Sequence, residues 1–309
     1  MESRAGRGMA GNPIPALRTV VLRCMFRFEE KECRMKTRDR EAKLAGQRIG
    51  FVGAVLVFAL GGLLGAARAQ TDCADGNGVL DTSPPKNMTA QELVQKFAAE
   101  ETRIKEARTH YTYTQDVLVQ TLNGKAVDGQ FHEIATVSYD NQGKRAEKVS
   151  FAEQPTLRGI QLTAEDMDDI HTFMPWILTT EELPQYNLTY AGQQHVDDLD
   201  TYVFHVEPKK EEKGKRYFQG RVWVDNHDLQ IVKLCGKSVP DVVHVKKRQP
   251  MNIRPMFVGY RQVVDGQWFP AYARVDDTLN FQVQAIHVRE IVKFTGYKRV
   301  GASAAAAKQ

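Results

Sequence analysis

Residues 200–234 read DTYVFHVEPKKEEKGKRYFQGRVWVDNHDLQIVKL, and this stretch decides the fold. Apolar side chains recur at every second position before and after the polar loop of residues 208–215, a spacing typical of β-strands with one buried face. The turn-forming DNHD tetrapeptide, residues 225–228, separates a strand over residues 218–224 from another over residues 229–235. The stretch therefore predicts three consecutive antiparallel strands.

The same alternation continues outward in both directions. Short turn sequences such as Asn123-Gly124 and Asp265-Gly266 separate the alternating segments, as in β-hairpins. The further strands predicted in this way cover residues 111–119, 131–139, 145–151, 256–264, 268–275 and 286–294. In all, we expect about nine or ten strands in meander order.

A long helix is predicted ahead of the first strands. Thr89 and Glu92 have the spacing of a capping box, which marks a helix N-terminus. Leu93, Phe97 and Ile104 follow at helical spacing, with charged residues on the other faces. The segment predicts an amphipathic helix of about 18–20 residues.

A second helix is predicted in the middle of the meander, over residues 163–177. Thr163 opens a second capping motif, and Pro175 is expected to kink or end the helix. The acidic residues at 165–169 suit the helix dipole better than a calcium loop, which needs alternating ligands and a central glycine. With this helix, we expect an α+β fold over residues 89–299, one antiparallel sheet with its helices on one face.

Charge is distributed unevenly along the chain. Residues 1–70 hold 13 basic and 6 acidic residues, a net charge of +7, whereas the remaining 29 basic and 32 acidic residues give −3. The basic character therefore belongs to the N-terminal segment, and the net charge gives no support to nucleic-acid binding.

The N-terminal segment has the pattern of an export signal. Basic residues precede an uncharged stretch over residues 49–67, and the small-x-small sequence Ala67-Arg68-Ala69 follows. We expect residues 35–69 to be a signal peptide cleaved near Ala69, and residues 1–34 to be an unfolded upstream extension. The alternative is an uncleaved N-terminal helix that anchors the protein to the membrane.

Two further segments are expected to lie outside the folded domain. Residues 70–88 are polar and read as a flexible lead-in, and residues 300–309 as a disordered tail. Residues 237–254 are basic and contain two prolines, which predicts a long mobile loop. Lys246, Lys247 and Arg248 in this loop are candidates for docking to an acidic partner or a membrane surface, the alternative being a merely solvated loop.

Export leaves two cysteines in the mature chain, Cys73 and Cys235. They form one disulfide in an oxidising compartment if they meet, and the spacing alone leaves this open. No CxxC, HExxH, P-loop, GxSxG or GxGxxG motif occurs, and no two of the eight histidines are two or four residues apart. The sequence therefore predicts neither an enzyme, nor a metal site, nor a cofactor.

The remaining candidates for a functional site are apolar. Methionine and aromatic side chains accommodate varied hydrocarbon chains, so the second helix is interpreted as a lid over a hydrophobic cavity; an ordinary core is the alternative. The candidates on the helix are Met167, Ile170, Phe173, Met174, Trp176 and Ile177. Those on the sheet are Tyr202, Phe204, Val206, Val222 and Val224.

The opening stretch resembles the lipoprotein-carrier superfamily, the LolA-, LolB- and RseB-like proteins. In these proteins a strand ending in proline leads to a G-x-x-W-V/I-D strand, a turn, and a strand that alternates hydrophobic and basic residues. Gly220, Trp223, Val224, Asp225 and Ile231 stand in those positions here. Residues 163–170, 186–190 and 288–299 resemble exported proteins described as outer-membrane lipoprotein-sorting proteins.

The resemblance implies a strongly curved antiparallel sheet, an incomplete β-barrel, with helices covering its concave face. It also implies a cavity that shields the acyl chain of a lipid or lipoprotein for transport to the outer membrane. We therefore expect a monomeric, non-enzymatic periplasmic binding protein, with a membrane-associated protein as a further partner. The alternative is an envelope-stress sensor or protein-interaction domain with the same fold and no cargo.

Overall fold

Eleven strands form one antiparallel sheet in this computed structural model, which describes residues 73–74, 76–240, 242–244, 249–251, 254–281 and 284–300. All described residues belong to one compact unit. The strands of the sheet are β1 (Asn77–Asp81), β2 (Tyr111–Asn123), β3 (Ala126–Tyr139), β4 (Arg145–Ala152), β5 (Tyr186–Val196), β6 (Leu199–Pro208), β7 (Tyr217–Asp225), β8 (Ile231–Val239), β11 (Phe257–Val264), β12 (Gln267–Asn280) and β13 (Ala285–Arg299). A separate pair is formed by β9 (Val242–His244) and β10 (Gln249–Met251).

The sheet is not closed, and its strand order is not a simple meander. The order is β1-β5-β6-β7-β8-β11-β12-β13-β2-β3-β4, so the last strand pairs with β2, the first long one. β1 and β4 are left at the two edges. The predicted α+β class with a curved, unclosed antiparallel sheet is confirmed, whereas the meander order misses the pairing of β13 with β2.

Helix α1 (Ala90–Arg108) has the predicted position and length. The side chains of Thr89 and Glu92 form the capping box, and Leu93, Phe97 and Ile104 are buried. One prediction about this helix is wrong, because Glu101 lies on the buried face and not on a charged outer face.

The chain between β4 and β5, residues 153–185, crosses from one edge of the sheet to the other and is called the crossing segment. Its contacts include a hydrogen bond from Gln115 of β2 to the Ile170 carbonyl (3.4 Å) and one from Arg261 of β11 to the Trp176 carbonyl (2.9 Å). The crossing segment and α1 share one hydrophobic core with the sheet, and the face they cover is called the inner face.

The predicted second helix is shorter than residues 163–177. It consists of α2 (Ala164–Asp168), a π-helical turn (Asp169–Phe173) and then extended chain. Thr163 and Asp166 form its capping box. The helix ends before Pro175, because proline has no N–H to continue the backbone hydrogen bonds.

The outer face of the sheet carries a second core, around Val203, Trp223 and Val258. A disulfide joins Cys73 to Cys235 of β8, with 5.6 Å between the Cα atoms. This places residues that precede β1 against the outer face. The lead-in predicted over residues 70–88 therefore contains ordered structure, because Asn77–Asp81 pairs with β5 as an edge strand.

Residues 237–254, predicted to be a long mobile loop, contain regular strands. β8 continues to Val239, and β9 and β10 pair with each other. Lys246, Lys247 and Arg248 lie outside the described residues, as do the predicted signal peptide and residues 301–309 of the tail. In the described part of the chain, no helix combines the length and apolar character needed to span a membrane.

Candidate functional site

The structure distributes the six apolar candidates of the crossing segment over different environments. Ile170 and Met174 are buried and Phe173 half buried, on the side of the segment that faces β11 and β12. Met167 is half buried at the margin of the inner core. Ile177 packs in a separate cluster beneath the end of α1.

Trp176 anchors the crossing segment to the sheet instead of lining a cavity. Its indole stacks on the ring of Phe218, with 4.4 Å between centroids and 21° between planes. The ring of Phe218 fits here because it lies against Gly220 and Gly236, which have no side chains. A Cβ atom at Gly236 would lie 2.7 Å from the ring. A side chain at Gly236 or Gly220 would therefore displace the ring on which Trp176 rests.

The five apolar candidates of the sheet are all buried on the inner face. They belong to the same core as α1, and the rings of Phe97 and Phe204 lie 5.3 Å apart. These residues are Tyr202, Phe204, Val206, Val222 and Val224. Packing by α1 thus fills the region where the sequence predicted a hollow, and of these five residues Phe204 lines one of the two cavities described below.

A cavity of about 380 Å³ lies farther along the crossing segment, between that segment and the ends of β8, β11, β12 and β13. We call it the Arg216 cavity. Its apolar lining is contributed by both the crossing segment and the sheet: Ile160, Leu162, Ile170, Phe173, Met174, Pro255, Phe257, Leu279 and Phe281. Its size falls in the range of small-molecule sites, which is about 300–1,000 Å³.

The polar side of the Arg216 cavity is held together by arginines that already have partners. Arg216 forms an ion pair with Asp169 and donates hydrogen bonds to Ser238 Oγ and to the Glu165 carbonyl, each at 3.2 Å. Burial raises the pKa of Asp169 to about 6, although Arg216 and Arg254 act in the opposite direction. Arg254 donates to the Pro240 carbonyl.

One further polar side chain lines the cavity, Glu290 of β13. It is only 7% exposed, and its Oε2 atom has no hydrogen-bond partner among the residues described. Burial, together with a smaller effect of nearby carboxylates, raises the pKa of Glu290 to about 8. The carboxyl group is therefore mostly protonated at neutral pH.

A second cavity, of about 520 Å³, lies between the start of α1 and the last part of the crossing segment; we call it the Leu183 groove. Residues of α1, β5 and β6 complete its walls: Ala90, Gln91, Val94, Gln95, Thr180, Leu183, Pro184, Tyr186, Leu188, Phe204 and Lys209. Apart from Lys209, no charged side chain is among these lining residues.

Two groups bring three potential metal ligands within 4.8 Å of one another. In the first, His171 lies between two carboxylates, with Nε2 3.1 Å from Glu133 and Nδ1 3.3 Å from Glu147. The two carboxylates face different ring nitrogens, and Glu147 also pairs with Arg145, so the arrangement is that of an ion-pair and hydrogen-bond network. Burial lowers the pKa of His171 to about 4.

The second group, Asp225, His227 and Asp228, is accounted for by the turn between β7 and β8. Asp225 Oδ2 accepts hydrogen bonds from the backbone N–H groups of His227 (3.1 Å) and Asp228 (2.7 Å). Asp228 in turn accepts one from the indole of Trp268 at 3.1 Å. Aspartate often stabilises turns in this way.

The sequence interpretation missed the polar residues of the cavity, Asp169, Arg216 and Glu290. A signal for Glu290 was present, because it occupies an inward position of β13 between Val288 and Val292, which are both buried. No comparable signal exists for Arg216, whose place beside Asp169 depends on how the crossing segment lies across the sheet.

No model of a known protein family and no curated protein matches this sequence. Similar solved structures include a DUF1329 family protein from Desulfovibrio piger, with a TM-score of 0.33 and 12% identity over 70% of this chain and 99% of its own. A LolA superfamily protein from Nitrosomonas europaea has a TM-score of 0.32 and 13% identity, over 69% of this chain and 94% of its own. The structure of the Pseudomonas aeruginosa MucA/MucB complex has a TM-score of 0.21 and 10% identity, over 67% of this chain and 100% of its own.

These likenesses are distant, and at 13% identity or less they concern the fold alone. The superfamily that residues 200–234 resemble is named among these structures. The chain is thus similar to LolA superfamily, DUF1329 and MucB proteins.

Proposed function

We propose that the protein is a non-catalytic, exported binding protein that holds the hydrocarbon chain of a lipid or lipoprotein in the Arg216 cavity. The observation that carries the proposal is the cavity itself, about 380 Å³ with nine apolar side chains among its lining residues. The signal-like sequence of residues 36–69 supports a periplasmic location, where such a carrier would meet its cargo.

Hydrocarbon burial is the main favourable contribution to the free energy of such binding. Each buried CH₂ group contributes about 0.8 kcal/mol, so about ten of them contribute roughly 8 kcal/mol. Association and the ordering of a flexible chain oppose this by roughly 4–15 kcal/mol. We therefore expect moderate affinity, as suits a carrier that must also release its cargo.

The crossing segment provides a route by which a chain enters. Its residues 159–174 form one wall of the cavity, and α2 within it has no buried residue. A small outward movement of this wall would open the cavity without disturbing the anchor that Trp176 makes with Phe218.

The test is to narrow each cavity separately with a matched substitution. Leu162→Trp adds an indole to the half-buried wall of the Arg216 cavity, and Leu183→Trp makes the same change in the Leu183 groove. Both variants and the wild type are titrated with a fluorescent long-chain fatty acid in the form of its uncharged methyl ester, called the fluorescent ester. We expect Leu162→Trp to weaken binding about tenfold or more, as the loss of about two buried CH₂ groups implies.

Leu183→Trp is expected to bind the fluorescent ester with the same affinity as the wild type. Equal loss in both variants, or loss only in Leu183→Trp, would contradict the assignment to the Arg216 cavity. Absence of binding by the wild type, together with no lipid in native mass spectra of the exported protein, would favour the alternative function of a sensor or protein-interaction domain.

A further inference from the structure

Glu290 is the one buried carboxyl group in the lining of the Arg216 cavity for which the described residues offer no hydrogen-bond partner. It stands opposite Val119 of β2 and Val275 of β12, both fully or nearly fully buried. Buried polar atoms in native proteins nearly always have a partner, because water lost on burial must be replaced. The arrangement therefore indicates that a group outside the described residues completes the site.

The two arginines of the cavity do not fill this role. The guanidinium of Arg216 is engaged by Asp169, Ser238 and the Glu165 carbonyl. The guanidinium of Arg254 is directed to the Pro240 carbonyl and lies 4.0 Å from the Glu165 carboxylate. Neither is engaged with Glu290, and neither is free to receive the anionic head group of a ligand.

The charge of the lining decides which head group suits the cavity. Four carboxyl groups line it, those of Glu165, Asp166, Asp169 and Glu290, against the two arginines. Asp277 adds a further negative charge that acts on Glu290. A negative head group would be repelled here, whereas a positive one would both neutralise the lining and donate the hydrogen bond that Glu290 lacks.

We propose that Glu290 is the recognition group of the Arg216 cavity and that it receives the ammonium head of a cationic amphiphile. The hydrocarbon chain of that amphiphile lies along Phe173, Met174 and Phe257. This inference rests on the proposed function, since it takes the cavity to be a hydrocarbon site, and it adds the class of head group. The bound ammonium group favours the ionised carboxylate, so Glu290 gives its proton to solvent on binding.

The test compares probes that share a chain and differ only in the head group. Decylamine, methyl decanoate and decanoate each compete with the fluorescent ester at pH 7, on the wild type and on Glu290→Gln. We expect the wild type to bind decylamine about tenfold more tightly than methyl decanoate, and decanoate most weakly. Glu290→Gln should reduce the preference for decylamine to about twofold or less while binding methyl decanoate as the wild type does, which also shows that the variant is folded.

Glu133→Gln is the matched control, because Glu133 is a partly buried carboxyl group whose pKa burial raises and which does not line the cavity. It should keep the wild-type preference. Equal affinity of the wild type for decylamine and methyl decanoate, or a preference retained by Glu290→Gln, would overturn the role of Glu290 and leave the hydrocarbon site intact. Failure of every ten-carbon probe to bind would refute the proposed function itself.

Discussion

Glu101 and Glu290 both stand at positions where their helix or strand turns apolar side chains inward. Glu101 follows Phe97 by one helical turn and precedes Ile104, and Glu290 lies between the inward-facing Val288 and Val292. The two carboxylates have opposite environments. Glu101 accepts two hydrogen bonds from Arg261, each at 2.8 Å, whereas Oε2 of Glu290 has no partner in the described chain.

Glu290 gives the stability of the protein a defined dependence on pH. Its pKa is raised from 4.5 to about 8, so between these values the native protein holds a proton that the unfolded chain releases. Unfolding becomes more favourable as the pH rises, and the stability contribution that is complete below pH 4.5 is lost by about pH 8. The size of the shift corresponds to a loss on the order of 5 kcal/mol.

Glu290→Gln removes this titration, so we expect the variant to gain stability relative to the wild type between pH 5 and pH 8. Urea unfolding of both proteins at the two pH values measures the difference. The comparison cancels the titration of Asp169, whose pKa is also raised, because that group is present in both proteins. A stability difference that does not change with pH would contradict the burial of an unpaired carboxyl group.

At the scale of elements, one ion pair fixes α1 and the crossing segment to the sheet together. Glu101 of α1 pairs with Arg261 of β11 and accepts a hydrogen bond from the Ile231 N–H of β8 at 3.0 Å. Arg261 also donates to the Trp176 carbonyl in the crossing segment. Glu101 is fully buried and Arg261 is 3% exposed, so bulk water solvates neither charge and each depends on the other for stabilisation.

We expect Glu101→Ala to destabilise the protein by about 3–5 kcal/mol, because it leaves the Arg261 guanidinium buried without its carboxylate. Glu106→Ala is the control on the same helix; Glu106 is exposed, and its loss should change the free energy of unfolding by about 0.5 kcal/mol or less. Urea unfolding measures both. Similar small changes for the two variants would show that the pair does not fix α1 to the sheet.

The elements that local patterns specify were predictable, and those that depend on distant contacts were not. The capping box of Thr89 and Glu92 and the alternation of residues 111–119 are encoded within a few positions, and both are present in the structure. The second helix is shorter than predicted because Pro175 has no N–H group with which to continue the helical hydrogen bonds, and this signal is local. The pairing of β13 with β2 joins residues far apart in sequence, and no local pattern specifies it.

The candidate site was predictable only in part for the same reason. The apolar character of Ile170, Phe173 and Met174 is visible in the sequence, and these three residues line the Arg216 cavity. The location of the cavity could not be predicted from the sequence. Helix α1 shares a packed core with Phe204 and Val222, and the cavity lies instead near the ends of β12 and β13.

The whole molecule combines an open sheet, two covered faces and a disulfide. The inner face is covered by α1 and the crossing segment. On the outer face, Cys73 packs against the cluster around Trp223 and is bonded to Cys235, 162 positions away in the sequence. A bond that closes so long a loop restricts the unfolded chain and so favours the folded one. The Arg216 cavity and the Leu183 groove are thus local gaps in the packing of the described residues.

The hydrocarbon site is tested most directly by mapping where a chain binds. The wild-type protein is irradiated with the methyl ester of a long-chain fatty acid that carries a diazirine near the far end of its hydrocarbon chain, and the labelled peptides are identified by mass spectrometry. We predict adducts within residues 159–174, 254–257 and 279–281, which line the Arg216 cavity. Adducts confined to the Leu183 groove or to the outer face, or labelling no greater than that of the Leu162→Trp variant, would contradict it.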